Sequence, residues 1–223
     1  MLFVFEGPDN AGKSTVIRNI QTKLTEYNKT FTSIKEPSDN NFGSVVRNIH
    51  KTHSNLTDDL ELSILALHTM DRHELLLEDN LYNSILQNEE IVLADRSLIS
   101  TLAYQILPTK FDDPDSILRT FIHSHNSLLR NVPDRIYYLR VPPKHIFDES
   151  NSHDLYEKFH KQKEVREAYD YIFKYSDNRV LYEKYPILDL LEQYVSTCLT
   201  IDTTYMNYED VEDIIFSDLL TFI

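Results

Sequence analysis

Apolar positions along the chain fall into short runs separated by polar stretches, and their spacing alternates between strand and helix. LFVFE (2–6) is a run of β-formers, and KSTVIRNIQTKL (13–24) places Val16, Ile17, Ile20 and Leu24 at helical intervals. The two flank a polar loop, so the pattern predicts strand, loop, helix. TFTSIKEP (30–37) predicts a second strand ending at Pro37. Beyond Leu56, to about Leu86, LELSILALHTM and LLLEDNLYNSIL predict long, mostly buried helix. EIVLADRS (90–97) reads as a third strand, apolar on both faces as far as Asp95. A helix-rich stretch runs to Asn131. DRIYYLRVPP (134–143) is then a fourth strand, stopped by two prolines that cannot continue a ladder. Lys144 to about Lys163 is polar and histidine-bearing, the composition of a mobile segment. VREAYDYIFKYS (165–176) resumes helical spacing, CLTID (198–202) predicts a fifth strand, and YEDVEDIIFSDLL (208–220) a closing amphipathic helix behind polar capping residues.

Continuous apolar strands alternating with helices predict an α/β fold in which a doubly wound, five-stranded parallel sheet is flanked by helices and ligands bind at the carboxyl ends of the strands. A chain of 223 residues, 41% of them hydrophobic, can build one sizeable core, and neither repeat nor linker divides it, so a single domain over 1–223 is expected. A formal charge of −14 argues against a general binder of nucleic acid or anionic membrane, because both need a broad basic surface. Any phosphate site must therefore be local. The opening MLFVFEGPDN has no basic region of a signal peptide, and no apolar run approaches the roughly 18–20 residues of a membrane span. The single cysteine, Cys198, excludes an internal disulfide framework. A soluble protein of the cytoplasm is the expectation.

Only three glycines occur, and two of them, Gly7 and Gly12, frame one segment. Gly7-Pro8-Asp9-Asn10-Ala11-Gly12-Lys13-Ser14 fits G-x-x-x-x-G-K-[ST], with a predicted strand before it and a helix after it. In such a P-loop, backbone N–H groups of Gly7 and Asn10 to Thr15 wrap phosphate oxygens and the helix N-terminus adds partial positive charge. Lys13 reaches the β/γ-phosphates and Ser14 is positioned for Mg²⁺. The motif implies a nucleoside triphosphate such as ATP but leaves the acceptor open. Further charged residues fall at or near strand ends: Lys35-Glu36-Pro37, Asp71-Arg72, Asp95-Arg96 and the segment Ser100 to Gln105. Directly after its apolar strand, Asp95 can organise Mg²⁺ and water while Arg96 clamps a phosphate.

Seven segments, in order along nearly the whole chain, resemble those of the thymidylate kinase family. EGPDNAGKST is similar to its phosphate loop, KEPSDNNFGSVVRNI to its R-E-P-G-G-T-x-x-G-x-x-I-R segment, LALHTMDRHE to its F-x-A-[DN]-R helix and ADRSLISTLAYQ to its D-R-Y-x-x-S-x-x-A-Y-Q segment. PDRIYYLRVPP resembles the P-D-x-x-x-x-L-x-V-P-P strand, VREAY the V-R-x-x-Y motif, and TIDTTYMNYEDV the terminal I-D-x-x-x-x-x-E-x-V. The stretch 177–195 does not align. The resemblance implies a P-loop kinase that transfers the γ-phosphoryl of MgATP to dTMP or a related deoxynucleoside monophosphate. It also implies a homodimer packed through helices and a lid at about 144–163. By that resemblance Asp9 contacts the deoxyribose 3′-hydroxyl region and Mg²⁺-bound water, Arg96 holds the acceptor phosphate with help from Lys35, and Arg72 meets base or phosphate. Pro37 falls in the same acceptor segment as Lys35. Ser100, Tyr104 and Gln105 line base and sugar, Tyr156 stands near the sugar, and Asp95 supports the metal and Arg96.

The chain also departs from the family pattern. Asn10 stands where a phosphate-loop arginine would, and the lid span contains no arginine; Arg140, His153, Lys158, Lys161, Lys163 and Arg166 are the nearby cations. HDLYE (153–157) has Leu155 in place of a lid arginine. His68 replaces a phenylalanine that stacks on thymine, Ser97 a tyrosine, Lys35 an arginine, and Ser38-Asp39 paired glycines. Two other readings stay open: a deoxynucleoside kinase, for which Asp95-Arg96-Ser97 would serve as a D-R-S triplet, and a nucleotide-binding protein without transfer chemistry.

Overall fold

The computed structural model describes residues 1–53, 57–77, 85, 87, 90–109, 111–125, 132–142, 159–173 and 191–223. Its centre is a sheet of five parallel strands: β1 (Leu2–Glu6), β2 (Phe31–Lys35), β3 (Ile91–Asp95), β4 (Arg135–Arg140) and β5 (Cys198–Asp202), in the order β2-β3-β1-β4-β5. Successive side chains on a strand point to opposite faces, so a strand covered on both sides must be apolar throughout. Val4, Ala94, Ile136 and Tyr138 enter one core with Leu98, Ile99, Leu102, Ala103, Tyr104, Ile106, Val165 and Tyr169. Phe3, Phe5, Leu93, Tyr137 and Leu139 enter the other with Val16, Ile17, Ile20, Leu24, Val211 and Ile215. Helices on both faces explain the apolar runs read from the sequence.

The helices are α1 (Lys13–Glu26), α2 (Asn41–Thr52), α3 (Asp58–Leu77), the short α4 (Leu98–Thr101), α5 (Pro114–Ser124), α6 (Phe159–Ile172), the short α7 (Glu192–Val195) and α8 (Tyr208–Leu219). A π-helical turn, Leu102–Ile106, continues α4 and buries Tyr104 and Gln105. The long helix expected from beyond Leu56 is α3 as far as Leu77; 78–84 and 86 lie outside the described residues. Helix α6 begins at Phe159, inside the span expected to form a lid, and 144–158 lie outside the described residues, as do 177–190. The closing helix α8 is capped by Asn207, whose side chain accepts from the Asp210 amide.

Helix α2 was not expected from the apolar spacing. It buries Gly43 and Val46 against its surroundings, and its placement depends on Gly43. A Cβ there would approach Asp71 Oδ1 to 2.7 Å and collide with the Ser38 backbone. Ser38 is tied to the same carboxylate, donating from its amide N to Asp71 Oδ2 at 2.8 Å and from its hydroxyl to Oδ1. One glycine thus lets α2, the 36–38 loop and α3 close on one another.

The parallel register brings the last residues of the strands into one row. Phe5 stands opposite Asp95, Lys35 opposite Asp95, Glu6 opposite Tyr138, and Arg140 opposite Asp202. The charged residues that end the apolar runs are therefore neighbours at the carboxyl edge, where the first turn after each strand delivers its functional groups.

Candidate active site

The loop between β1 and α1 takes backbone conformations that few side chains allow. Gly7 has φ +145° and a Cβ there would meet the Leu139 carbonyl oxygen at 2.5 Å; Gly12 has φ +85° beside the Tyr208 ring. Asn10 also has positive φ, 58°. Lys13 folds back over the loop, donating to the carbonyls of Gly7 at 3.0 Å and Pro8 at 2.7 Å. Burial, then the nearby Arg96 charge, push its pKa down to about 8. An ammonium so held is a strong ligand for phosphate oxygens, because these would replace weak carbonyl partners with full negative charge. Asn10, Ser14 and Thr15 are exposed at the loop and the start of α1, while Ala11 is buried.

Ser14 Oγ donates to Asp95 Oδ2 at 2.8 Å, across from α1 to the end of β3. Hydroxyl and carboxylate oxygens side by side suit a hard cation such as Mg²⁺, which takes few protein ligands and completes its shell with water and phosphate. Among the described residues no group of three or more His, Cys, Asp or Glu could hold a metal by itself.

Arg96 joins this loop to the rest of the site. It sits in the left-handed region at φ 79°, which turns its side chain back over the strand ends. Its guanidinium donates to the Gly7 carbonyl at 3.1 Å, Ser100 Oγ at 3.1 Å and Tyr104 OH at 3.2 Å, and pairs with Asp9 at 2.5 Å. It also lies over the Tyr104 ring, 4.9 Å from its centroid. Burial alone would raise the Asp9 carboxyl; the Arg96 and Lys13 charges and a hydrogen bond from Gln162 Nε2, 2.8 Å, hold it below its ordinary range. Under Arg96 lies Glu6, fully buried, accepting from Ser97 Oγ and Ser100 Oγ at 2.7 Å each and from Tyr169 OH at 2.8 Å. Burial pushes its pKa up against those donors.

Beside Arg96 opens a cavity of about 240 Å³, lined by Asp9, Glu36, Pro37, Arg47, His50, Lys51, His68, Arg96, Ser100, Thr101, Tyr104 and Gln105. Every acceptor-site residue expected from the sequence lines it except Lys35, Arg72 and Tyr156. Lys35 is exposed and paired with Asp39 at 2.8 Å. Arg72 is buried one layer behind, where its Nε donates to both Glu36 oxygens at 2.9 and 3.0 Å, its Nη2 to Thr101 at 3.0 Å and its Nη1 to His125 Nε2 at 2.6 Å. Burial, then the Arg72 charge, hold His125 down to about 3, so its ring is neutral and accepts that bond. Tyr156 lies outside the described residues. A second cavity, about 220 Å³, runs from Asn10 and Ala11 past Val141 and Pro142 to Thr203, Met206 and Tyr208.

Residues missed by the sequence reading are Glu6, Arg47, His50, Lys51 and Gln162, and Glu36 was noted only as part of Lys35-Glu36-Pro37, without a role. Arg47 stood inside a quoted motif, and the glutamate before Gly7 was a signal of the same kind. Gln162 and Lys51 carry no local signal. Of the cations near the lid, Arg140 is held by Asp170 at 2.9 Å and Asp202 at 2.6 Å, and Arg166 lies 3.8 Å from Asp170. Lys163 lies 3.8 Å from Glu167, and Lys161 is half-buried. His153 and Lys158 are outside the described residues.

The depressed Lys13 pKa fixes a pH dependence of stability. The unfolded chain keeps this proton to about pH 10.5 and the folded chain releases it near 8, so between those values the unfolded state binds more protons and folding gains with rising pH. Compared with Lys13→Met by chemical unfolding, the wild type should gain relative stability from pH 8 to 10.5, on the order of 3 kcal/mol. A difference that stays flat across that window would contradict the assigned environment.

The family model described as thymidylate kinase matches residues 5–189. A probable thymidylate kinase of Methanobrevibacter smithii is 35% identical over 105 residues, a match that spans 47% of this chain and 52% of that protein. The thymidylate kinase of Onion yellows phytoplasma is 34% identical over 178 residues, 76% of this chain and 81% of its own length. Among solved structures, a thymidylate kinase from Candida albicans superposes with a TM-score of 0.68 at 19% identity, covering 99% of this chain and 91% of that one, a likeness of fold. The P-loop, the five-stranded parallel sheet and a family match over most of the chain agree, and the chain belongs to the thymidylate kinase family.

Proposed function

We propose that this protein catalyses transfer of the γ-phosphoryl group of ATP to dTMP, yielding ADP and dTDP. The observation that carries the reading is the placement of a cation-lined cavity directly against the P-loop, with Arg96 and Asp9 shared between them. Arg47, Lys51 and Arg96 bring positive charge to one cavity of a chain whose net charge is −14, as a dianionic acceptor requires. Family membership supplies the choice of substrate pair.

In this reading ATP lies with its phosphates in the loop, held by the backbone amides and Lys13, and its base in the second cavity beside α8. The dTMP phosphate meets Arg96, with Arg47 and Lys51 nearby, and its base and sugar reach Tyr104, Gln105 and His68. An acceptor phosphate oxygen forms a bond to the γ-phosphorus as the bond to the β,γ-bridging oxygen breaks, and that oxygen leaves with ADP. The protein contributes position and fixed positive charge, with no covalent intermediate on the enzyme. Ser14 and Asp95 are the residues that would hold Mg²⁺, which would neutralise charge on the transferring phosphates. A lysine of the lid span, at about 144–163, or Arg166 stands in for the missing loop and lid arginines, within one domain carrying both substrates.

A homodimer fits the same reading. Leu62, Ala66 and Met70 repeat every fourth residue along α3 and are exposed, an apolar stripe suited to a second copy of the helix. Among the described residues no helix is long and apolar enough to cross a membrane, and we place the enzyme's work on small nucleotides in the cytoplasm, without nucleic-acid partners.

ADP release measured with MgATP against a panel of nucleoside monophosphates and free nucleosides, in wild type and Lys13→Ala, tests the reaction. Turnover is expected on dTMP and to fall by about 10²-fold or more in the variant. Turnover confined to nucleosides would select a deoxynucleoside kinase, and ATP binding with no turnover would select a binding protein. Sedimentation of the same wild-type sample should give twice the chain mass; a monomer would remove the dimer from the account.

A further inference from the structure

The acceptor cavity is lined by a buried ring, that of His68, with a nitrogen that makes no hydrogen bond among the described residues. His68, in the middle of α3, is 7% exposed and lines the cavity with Thr101 and Gln105. Its Nε2 makes no hydrogen bond. Such an atom carries a desolvation penalty that a phenyl ring of similar shape would avoid. Flat stacking on a base needs no ring nitrogen, so stacking alone does not account for an imidazole here.

The ring's charge state narrows its use. Burial, then the charges of Arg72, His50 and Arg96, hold its pKa well below the ordinary histidine value. His68 is therefore neutral and adds no charge for an acceptor phosphate; Arg47, Lys51 and Arg96 supply that. The His50 ring, 6.1 Å away between centroids and tilted by 40°, flanks it without providing a partner to Nε2. What a neutral imidazole nitrogen offers is one directional hydrogen bond, as donor or acceptor according to tautomer. A nucleobase presents matching groups along its edge, whereas the sugar and phosphate of the acceptor are already matched by carboxylate, hydroxyl and cationic side chains in the same lining.

We propose that His68 is a specificity-determining residue whose Nε2 hydrogen-bonds the edge of the acceptor's base, so that the site selects a polar-edged nucleobase over an apolar one of the same shape. The inference rests on the acceptor reading given above. Because the ring can present either polarity, it selects for a hydrogen-bonding edge and does not by itself choose between a base carbonyl and a base amino group.

The test compares kcat/KM for dTMP with that for the monophosphate of a difluorotoluene deoxynucleoside, which keeps the shape of thymine and lacks its hydrogen-bonding edge. The ratio is measured in wild type, His68→Phe and His68→Gln. Taking it within one preparation cancels any loss of folded enzyme. The preference for dTMP should fall by about tenfold in His68→Phe, the scale of one hydrogen bond, and be largely kept in His68→Gln, whose amide can still bond. An equal preference in wild type and His68→Phe would overturn the proposal while leaving the kinase assignment standing. Absence of wild-type turnover on dTMP would overturn the acceptor reading and this inference together.

Discussion

The buried guanidinium of Arg96 is the interaction on which the rest of the site depends. A charge so enclosed is tolerated only if its donors are matched, and the matching groups come from separate parts of the chain: Gly7 and Asp9 from the phosphate loop, Ser100 and Tyr104 from the turn after β3. Asp9 is in turn held by Gln162 of α6, and Ser100 by the buried Glu6 and Tyr169. Loop, strand ends and two helices are thereby locked in one arrangement, and the positive φ of Arg96 is a local strain that this set of partners sustains.

The sheet makes that convergence possible. Parallel register puts Glu6, Lys35, Asp95, Arg140 and Asp202 along one edge, and apolar burial on both faces holds the strands beneath them. Charges of both signs then meet where burial strengthens each pairing. Asn10, Ala11 and Tyr208 line the second cavity beside α8, and Arg47, Lys51 and His68 line the first, while Lys13 lies over the loop and Ser14 meets Asp95. The two substrates of a phosphoryl transfer need such an arrangement, with separate pockets and one shared set of charges between them.

Much of this was legible in the sequence because it is local. The apolar runs gave all five strands, the spacing of Val16, Ile17, Ile20 and Leu24 gave α1, and the Gly7 to Ser14 pattern gave the loop. Asp95-Arg96 was recognisable from a charged pair ending an apolar strand. The rest depends on contacts between distant segments. Helix α2 fully buries only Gly43 and Val46 and owes its position to the space Gly43 leaves beside Ser38 and Asp71. Arg72 was readable as a site residue by its motif, yet only the fold turns it toward Glu36, Thr101 and His125. Gln162 reaches Asp9 across 153 positions, and nothing in its neighbours along the chain foretells it.

The central claim, that Arg96 serves the acceptor side while the loop itself holds ATP, is tested most directly by calorimetric titration of Arg96→Ala with dTMP and with a non-hydrolysable ATP analogue. A folded variant should lose dTMP affinity by about 10²-fold or more, the scale of a lost charge-assisted pair, while its affinity for the ATP analogue, whose loop Arg96 braces through Gly7 and Asp9, should fall by about tenfold at most. Equal losses for both ligands, or an unchanged affinity for dTMP, would contradict the account.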